Sequence, residues 1–269
     1  KRRYDIPYIV SLRGGDVPKL VPEIETIHRL LTPIRQMALK QSHRIVANAR
    51  GLANLSQETD PYHVDVIPNG VDTNTFKPSD HTKDDGKFNI VFVGRFHRQK
   101  NLLLLIQCFS ELLTSEAVAL HLHLVGQGPM EEQLFELAET LGLQAHITWH
   151  GWTNKKDLIQ IYQNSQLMVN PSFYEGLPNA VLEGMASGLP FVVSDIPGNH
   201  DLITQECGWT FDIEDGEALK SCLLHAIQNR DLLRAMGKQS RIRVQDHYDW
   251  KVVAQQYLDL FDGPARGSV

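Results

Sequence analysis

A chain of 269 residues exceeds the size at which one core is comfortable, and 42 % hydrophobic with 22 % charged residues excludes a disordered chain, so one large or two modest globular domains are expected. The net charge of -6 lacks the basic footprint of a general nucleic-acid binder, and no nucleic-acid partner is expected. Cys108, Cys207 and Cys222 form no CxxC pair, which argues against a disulfide framework or a thiolate zinc site and fits a reducing cytoplasm.

Lys1-Arg2-Arg3 runs almost directly into an apolar strand, which reads as an entry point inside a domain rather than a natural beginning. The pattern predicts a strand at "YIVSL" (8–12), a helix over "PEIETIHRLLTPIRQMALKQS" (22–42), a strand at "RIVANA" (44–49) and another at "VDVIP" (64–68). Arg29, Arg35, Lys40 and Arg44 suit either peripheral contact with the anionic inner face of a membrane or, more simply, a solvated helix face. The polar, turn-rich segment 69–89 holds the expected domain boundary.

From Phe88 onward strands alternate with helices, the rhythm of an α/β fold with a doubly wound parallel sheet. The expected strands are 88–94, 120–126, 146–151, 166–171, 190–195 and 208–212, with helical patterns at 101–113, 130–143, 155–165 and 177–188. Three helices, 216–229, 231–245 and 249–261, close the chain, with Asp215 placed to cap the first. The longest apolar run, Leu102 to Ile106, is far below the ~20 residues that span a bilayer, so a soluble or at most peripheral protein is expected.

In "NPSFYEGLPNAVLEGMASGLPFVVSD" (170–195), Pro178 suits the first turn of a helix and Gly176 allows close backbone approach. The free amides and positive dipole end of that helix favour an anion by ~0.3 to 1 kcal/mol when exposed and up to ~2 when partly buried. That is too little to hold a diphosphate alone. Arg95 and Lys100, after the strand 88–94, add charge-assisted hydrogen bonds of about 1.5 to 3 kcal/mol each. Glu175 and Glu183 would repel phosphate but accept well from sugar hydroxyls, so a ligand with phosphates between two sugars satisfies all these groups. Glu183 then takes a ribose and Glu175 the second sugar.

Together with "IPNGVD" (67–72), "VGRFHRQKN" (93–101), "LVGQGP" (124–129) and "HGW" (150–152), the spacing Glu175-x7-Glu183 resembles the retaining glycosyltransferases of family four, of the GT-B fold, over about 5–261. The resemblance implies two Rossmann-like domains, the first truncated here: a partial acceptor-side domain at 1–76, a linker at 77–87, a nucleotide-sugar-binding domain at 88–245, and a helix at 246–262 that crosses back. It implies transfer from a nucleoside-diphosphate sugar, a co-substrate rather than a cofactor, to a hydroxyl of a glycan or lipid-linked acceptor, without a bound metal, as in bacterial surface polysaccharide assembly. Arg95 and Lys100 would stabilise the diphosphate leaving group, and Glu175 would contact the transferred sugar. Gly94, Gly126, Gly128, Gly151, Trp152, Gly176, Leu177, Pro178, Asn179, Ala180 and Glu183 would surround the donor.

Arg13 of "SLRGGD" (11–16) stands where many members carry histidine. An arginine does not act as a base at neutral pH, so it would orient or bind an anion; a local salt bridge with Asp16 is the alternative to an acceptor-side role for both. "GQGPME" (126–131) lacks the third glycine of a dinucleotide site, and "DIED" (212–215) suits capping better than a metal. A GT-B epimerase and a donor-binding module without transfer activity are the rival readings.

Overall fold

Strands buried on both faces read as continuous apolar runs, and "FNIVFV" and its successors form one parallel sheet for that reason. The computed structural model describes residues 6–79, 86–115 and 118–263, so Lys1-Arg2-Arg3 and part of the expected linker lie outside the described residues. The large sheet holds β4 (Phe88–Val93), β5 (Leu120–Val125), β6 (Ile147–Gly151), β7 (Leu167–Asn170), β8 (Phe191–Ser194) and β9 (Gly208–Phe211) in the order β6-β5-β4-β7-β8-β9. Every pairing in it is parallel.

Helices clothe both faces. Phe88, Ile90, Phe92, Leu122 and Leu124 bury against α3 (Leu102–Ser115), α4 (Glu131–Thr140) and α8 (Gly216–Gln228). Val91, Met168, Phe191 and Val193 meet the opposite layer, which includes α5 (Lys155–Asn164), α6 (Asn179–Ala186) and α9 (Arg230–His247). Asp215 caps α8 through the amides of Glu217 and Ala218, and Asp212 takes the amide of Glu214.

A second parallel sheet holds β1 (Ile9–Leu12), β2 (Arg44–Ala47) and β3 (Asp65–Val66), in the order β1-β2-β3, with α1 (Glu25–Gln41) between the first two. The expected strand 64–68 shrinks to two paired residues. A helix that periodicity did not predict, α2 (Arg50–Thr59), follows β2. A short α7 (Pro197–His200) packs against α2, where Gly51 lies so close to Pro197 that an added Cβ would stand 2.4 Å from it. The last helix, α10 (Trp250–Asp262), buries Val253 against Val46 of the small sheet and Ile67 just after its third strand.

Of the solvated face expected around Arg29, Arg35, Lys40 and Arg44, Arg29 and Lys40 are exposed as expected, and the other two need correction. Arg35 pairs at 3.0 Å with Asp60, at the end of α2, and Arg44 at 3.7 Å with Asp65; both arginine side chains are mostly buried. Beside Arg29 and Lys40, the outward side of α1 also exposes Ile27, Leu30, Leu31, Ile34 and Met37. Among the described residues no helix is long and apolar enough to cross a membrane.

Candidate functional site

The strand order locates the site. From β4 the chain winds outward to β6 and then returns to β7 on the other flank of β4, so the loops after β4 and β7 leave the sheet in opposite directions. A crevice opens between such loops at the carboxyl edge. The loop after β4 carries Gly94, Arg95 and Lys100; the loop after β7 carries Glu175 to Pro178 and leads into α6.

A 3-10 turn at Arg98–Lys100 shapes the first loop, with the His97 ring accepting from the amide of Gln99 at 3.3 Å. The two loops are then stitched together. Phe173 N donates to Gln99 O at 2.8 Å, and Gln99 Nε2 donates to Tyr174 O at 2.7 Å. Glu175 forms a short ion pair with Lys100, and the same carboxylate accepts from Ser172 Oγ at 2.7 Å and Gln99 Nε2 at 3.4 Å. Ser172 and Gln99 were not singled out from the sequence, although Gln99 stands inside the motif that names Arg95 and Lys100. Arg95 is exposed, and among the described residues its guanidinium has no hydrogen-bond or ion-pair partner.

Pro178 is the N-cap of α6 rather than its first helical residue, a shift of one position from the expectation. Gly176 and Leu177, with Asn179 and Ala180 in the first turn, have no protein acceptor for their amides among the described residues. Glu183 sits one turn into the helix, half-buried, where Tyr162 of α5 donates to its Oε2 at 3.1 Å and to Ala180 O at 3.3 Å. Burial raises the Glu183 carboxyl above the usual carboxylate range, while the Tyr162 hydrogen bond and the charge of Lys155 oppose the rise. Burial, reinforced by that carboxylate, pushes the Tyr162 phenol far up, so it remains a donor. No local pattern in "KKDLIQIYQNS" could have distinguished Tyr162 from an ordinary core residue.

Gly126 and Gly128 shape the cation loop from beneath. Gly126 has φ +136, and an added Cβ would lie 1.9 Å from Gly94 O; at Gly128 it would lie 2.3 Å from Phe96 O. Gly151 closes the same corner, its carbonyl accepting from Gly126 N at 2.9 Å, and beside it Trp152 is 79 % exposed.

The carboxyl edge of the small sheet faces this crevice. Arg13 donates to Asn69 Oδ1 at 2.7 Å, and Asn69 Nδ2 donates to Leu177 O at 3.2 Å and Asn179 Oδ1 at 2.9 Å. A Cβ on Gly176 would stand 2.6 Å from Arg13 O, so glycine lets the two edges touch. The local Arg13–Asp16 salt bridge is not formed: Asp16 instead accepts from the backbone amides of Arg13 and Gly14, at 2.9 and 2.7 Å, and frees the guanidinium to reach Asn69.

Residues 73–243 match the family model described as glycosyl transferases group 1. The chain is 28 % identical over 214 residues to the Escherichia coli UDP-Gal:alpha-D-GlcNAc-diphosphoundecaprenol alpha-1,3-galactosyltransferase, a match covering 75 % of this chain and 54 % of that protein. It is 31 % identical over 218 residues to mannosylfructose-phosphate synthase of Agrobacterium fabrum, covering 75 % of this chain and 48 % of the relative. The chain thus spans about half the length of these curated relatives. Among solved structures, sucrose-phosphate synthase from Thermosynechococcus elongatus superposes with a TM-score of 0.84 at 21 % identity, over 97 % of this chain and 68 % of that one. Anabaena HepE, solved in complex with UDP and glucose, gives 0.82 at 18 % identity, over 96 % and 72 %. Both share the GT-B type of fold with this chain.

Proposed function

The chain belongs to the group 1 glycosyl transferases, and on that premise we propose that it forms the donor site of a retaining enzyme that moves a sugar from a nucleoside diphosphate to an acceptor hydroxyl. One observation carries the reading: at the β4/β7 reversal Arg95 and the amides opening α6, all without partners among the described residues, and two differently held carboxylates converge on one crevice. In this assignment 1–76 is a partial acceptor-side domain, 77–87 a linker, 88–245 the donor domain and 246–262 the returning helix.

The diphosphate lies against Arg95, Lys100 and the α6 amides. The ribose hydroxyls donate to Glu183, whose Oε1 is not engaged by Tyr162. Glu175 meets the transferred sugar. The acceptor oxygen forms a bond to the anomeric carbon on the face from which the diphosphate departs. The breaking bond leaves its electron pair on the phosphate oxygen, which receives the hydroxyl proton. Preorganised cations and dipoles stabilise the charge that develops there, and the protein rather than a bound metal supplies them.

The test is NMR analysis of the anomeric linkage formed from an α-linked donor such as UDP-glucose and a panel of simple glycosides. An α-linked product is expected. A β-linked product would exclude retention, and release of a free epimer without any acceptor would replace transfer by epimerisation.

A further inference from the structure

The loop 172–176 has two sides. One faces Lys100 and α6; the other closes a cavity of about 440 Å³ between α2, α7 and Leu20, with Glu175 in its wall. That volume falls within the ~300 to 1,000 Å³ of small-molecule sites. Six apolar side chains, Leu20, Leu52, Leu55, Phe173, Ile196 and Pro197, dominate the lining. Phe173 is 49 % exposed, and its free edge is available to a ligand.

The charged residues around the cavity already have partners within the protein. Arg50 pairs with Asp201, whose carboxylate also accepts from the Arg50 amide at 2.6 Å. His200 pairs with Asp195, Glu58 with Lys19, and Glu175 with Lys100. An anionic ligand would meet three carboxylates, Glu58, Glu175 and Asp201, against the one exposed Arg50, whereas an uncharged apolar body would displace water from the six hydrophobic side chains without stranding a charge.

We propose that this cavity is the acceptor subsite, and that it takes a neutral acceptor with an aryl or alkyl body whose hydroxyl-bearing part lies toward Glu175. The inference rests on the donor reading above, since Glu175 is the residue that joins the two compartments. The cavity is built from both halves of the chain, α2 following β2 of the small sheet and α7 following β8, so it exists only where the two sheets meet.

The experiment is calorimetric titration of the full chain, saturated with UDP, using 4-nitrophenyl α-glucoside and methyl α-glucoside, repeated on Phe173→Ala and Leu55→Asn, with thermal melting to verify folding. The expected result is about a tenfold tighter aryl glucoside in the parent chain, corresponding to ~1.4 kcal/mol, with the advantage lost in Phe173→Ala and UDP affinity unchanged. Phe173, half exposed on a loop, is the variant that keeps its fold if Leu55→Asn does not. Equal affinity for the two glucosides, no binding of either, or an aryl advantage that survives Phe173→Ala would overturn the acceptor assignment while leaving the donor reading intact. Failure of UDP itself to bind would overturn the donor reading, and the acceptor role with it.

Discussion

Glu175 and Glu183 lie on opposite sides of one turn and are held by opposite means. Glu175, on a loop, is surrounded by donors: Lys100, Ser172 and Gln99 all reach its carboxylate. Glu183, on a helix, has one protein donor among the described residues, Tyr162, and sits in a setting that disfavours its charge. The first carboxylate is fixed in place and charge-compensated, which suits the sugar-positioning role proposed for it. The second retains unmet hydrogen-bonding capacity, which a ribose can satisfy. The difference teaches that one local sequence can carry a structural carboxylate and a ligand-dependent one eight positions apart.

The contrast breaks most sharply at Lys100. Lys100→Met leaves a nearly buried carboxylate without its ion, and a loss of about 3 kcal/mol is expected in chemical denaturation. The double variant Lys100→Met with Glu175→Gln should recover most of it. If the double variant is as unstable as the single one, Lys100 matters for packing and not for the pair.

Next in size is Tyr162→Phe, which removes the hydrogen bond that favours the Glu183 anion. A loss of roughly 1 to 3 kcal/mol is expected near neutral pH, shrinking as Glu183 becomes protonated, and melting curves at pH 4 and pH 8 test the difference. A smaller effect of opposite sign is expected for Glu183→Gln. Because burial raises the folded-state pKa of Glu183 above 4.5, the proton it retains stabilises the fold fully below that value, and the benefit fades as pH rises through the folded pKa. Glu183→Gln should therefore melt higher than the parent at pH 8 and show little advantage at pH 4, while binding nucleotide more weakly. A variant that melts lower at pH 8 would show that the carboxylate is not disfavoured there. The smallest expected effect is none: transfer measured with EDTA present should match transfer without it, and a collapse restored by added magnesium would assign the leaving group's charge to a metal.

The strands of the large sheet were legible because both faces are buried, so runs such as "LHLHLV" announce themselves without any knowledge of their neighbours. Arg95, Lys100, Glu175 and Glu183 were read from the sequence as one set by their chemistry and spacing, and the structure places them on the segments that follow two paired strands, β4 and β7. What remained hidden depends on partners far away in sequence. Helix α2 opens at Ala49 without a side-chain cap of its own, and the carboxylate that meets its first amide is Asp201, 151 positions later. With α2 unseen, Asp60 was unavailable as a partner, and Arg35 looked solvated. Tyr162 was hidden for a similar reason, since its importance comes from a carboxylate on a different helix.

The central claim, that the β4/β7 crevice binds a nucleoside diphosphate, is tested most directly by calorimetric titration of the folded chain with UDP, GDP and ADP, repeated on Arg95→Ala and Glu183→Ala. The account predicts that one nucleotide binds in preference to the others and that each substitution weakens it. Absence of binding by all three, or binding that neither substitution alters, would contradict it.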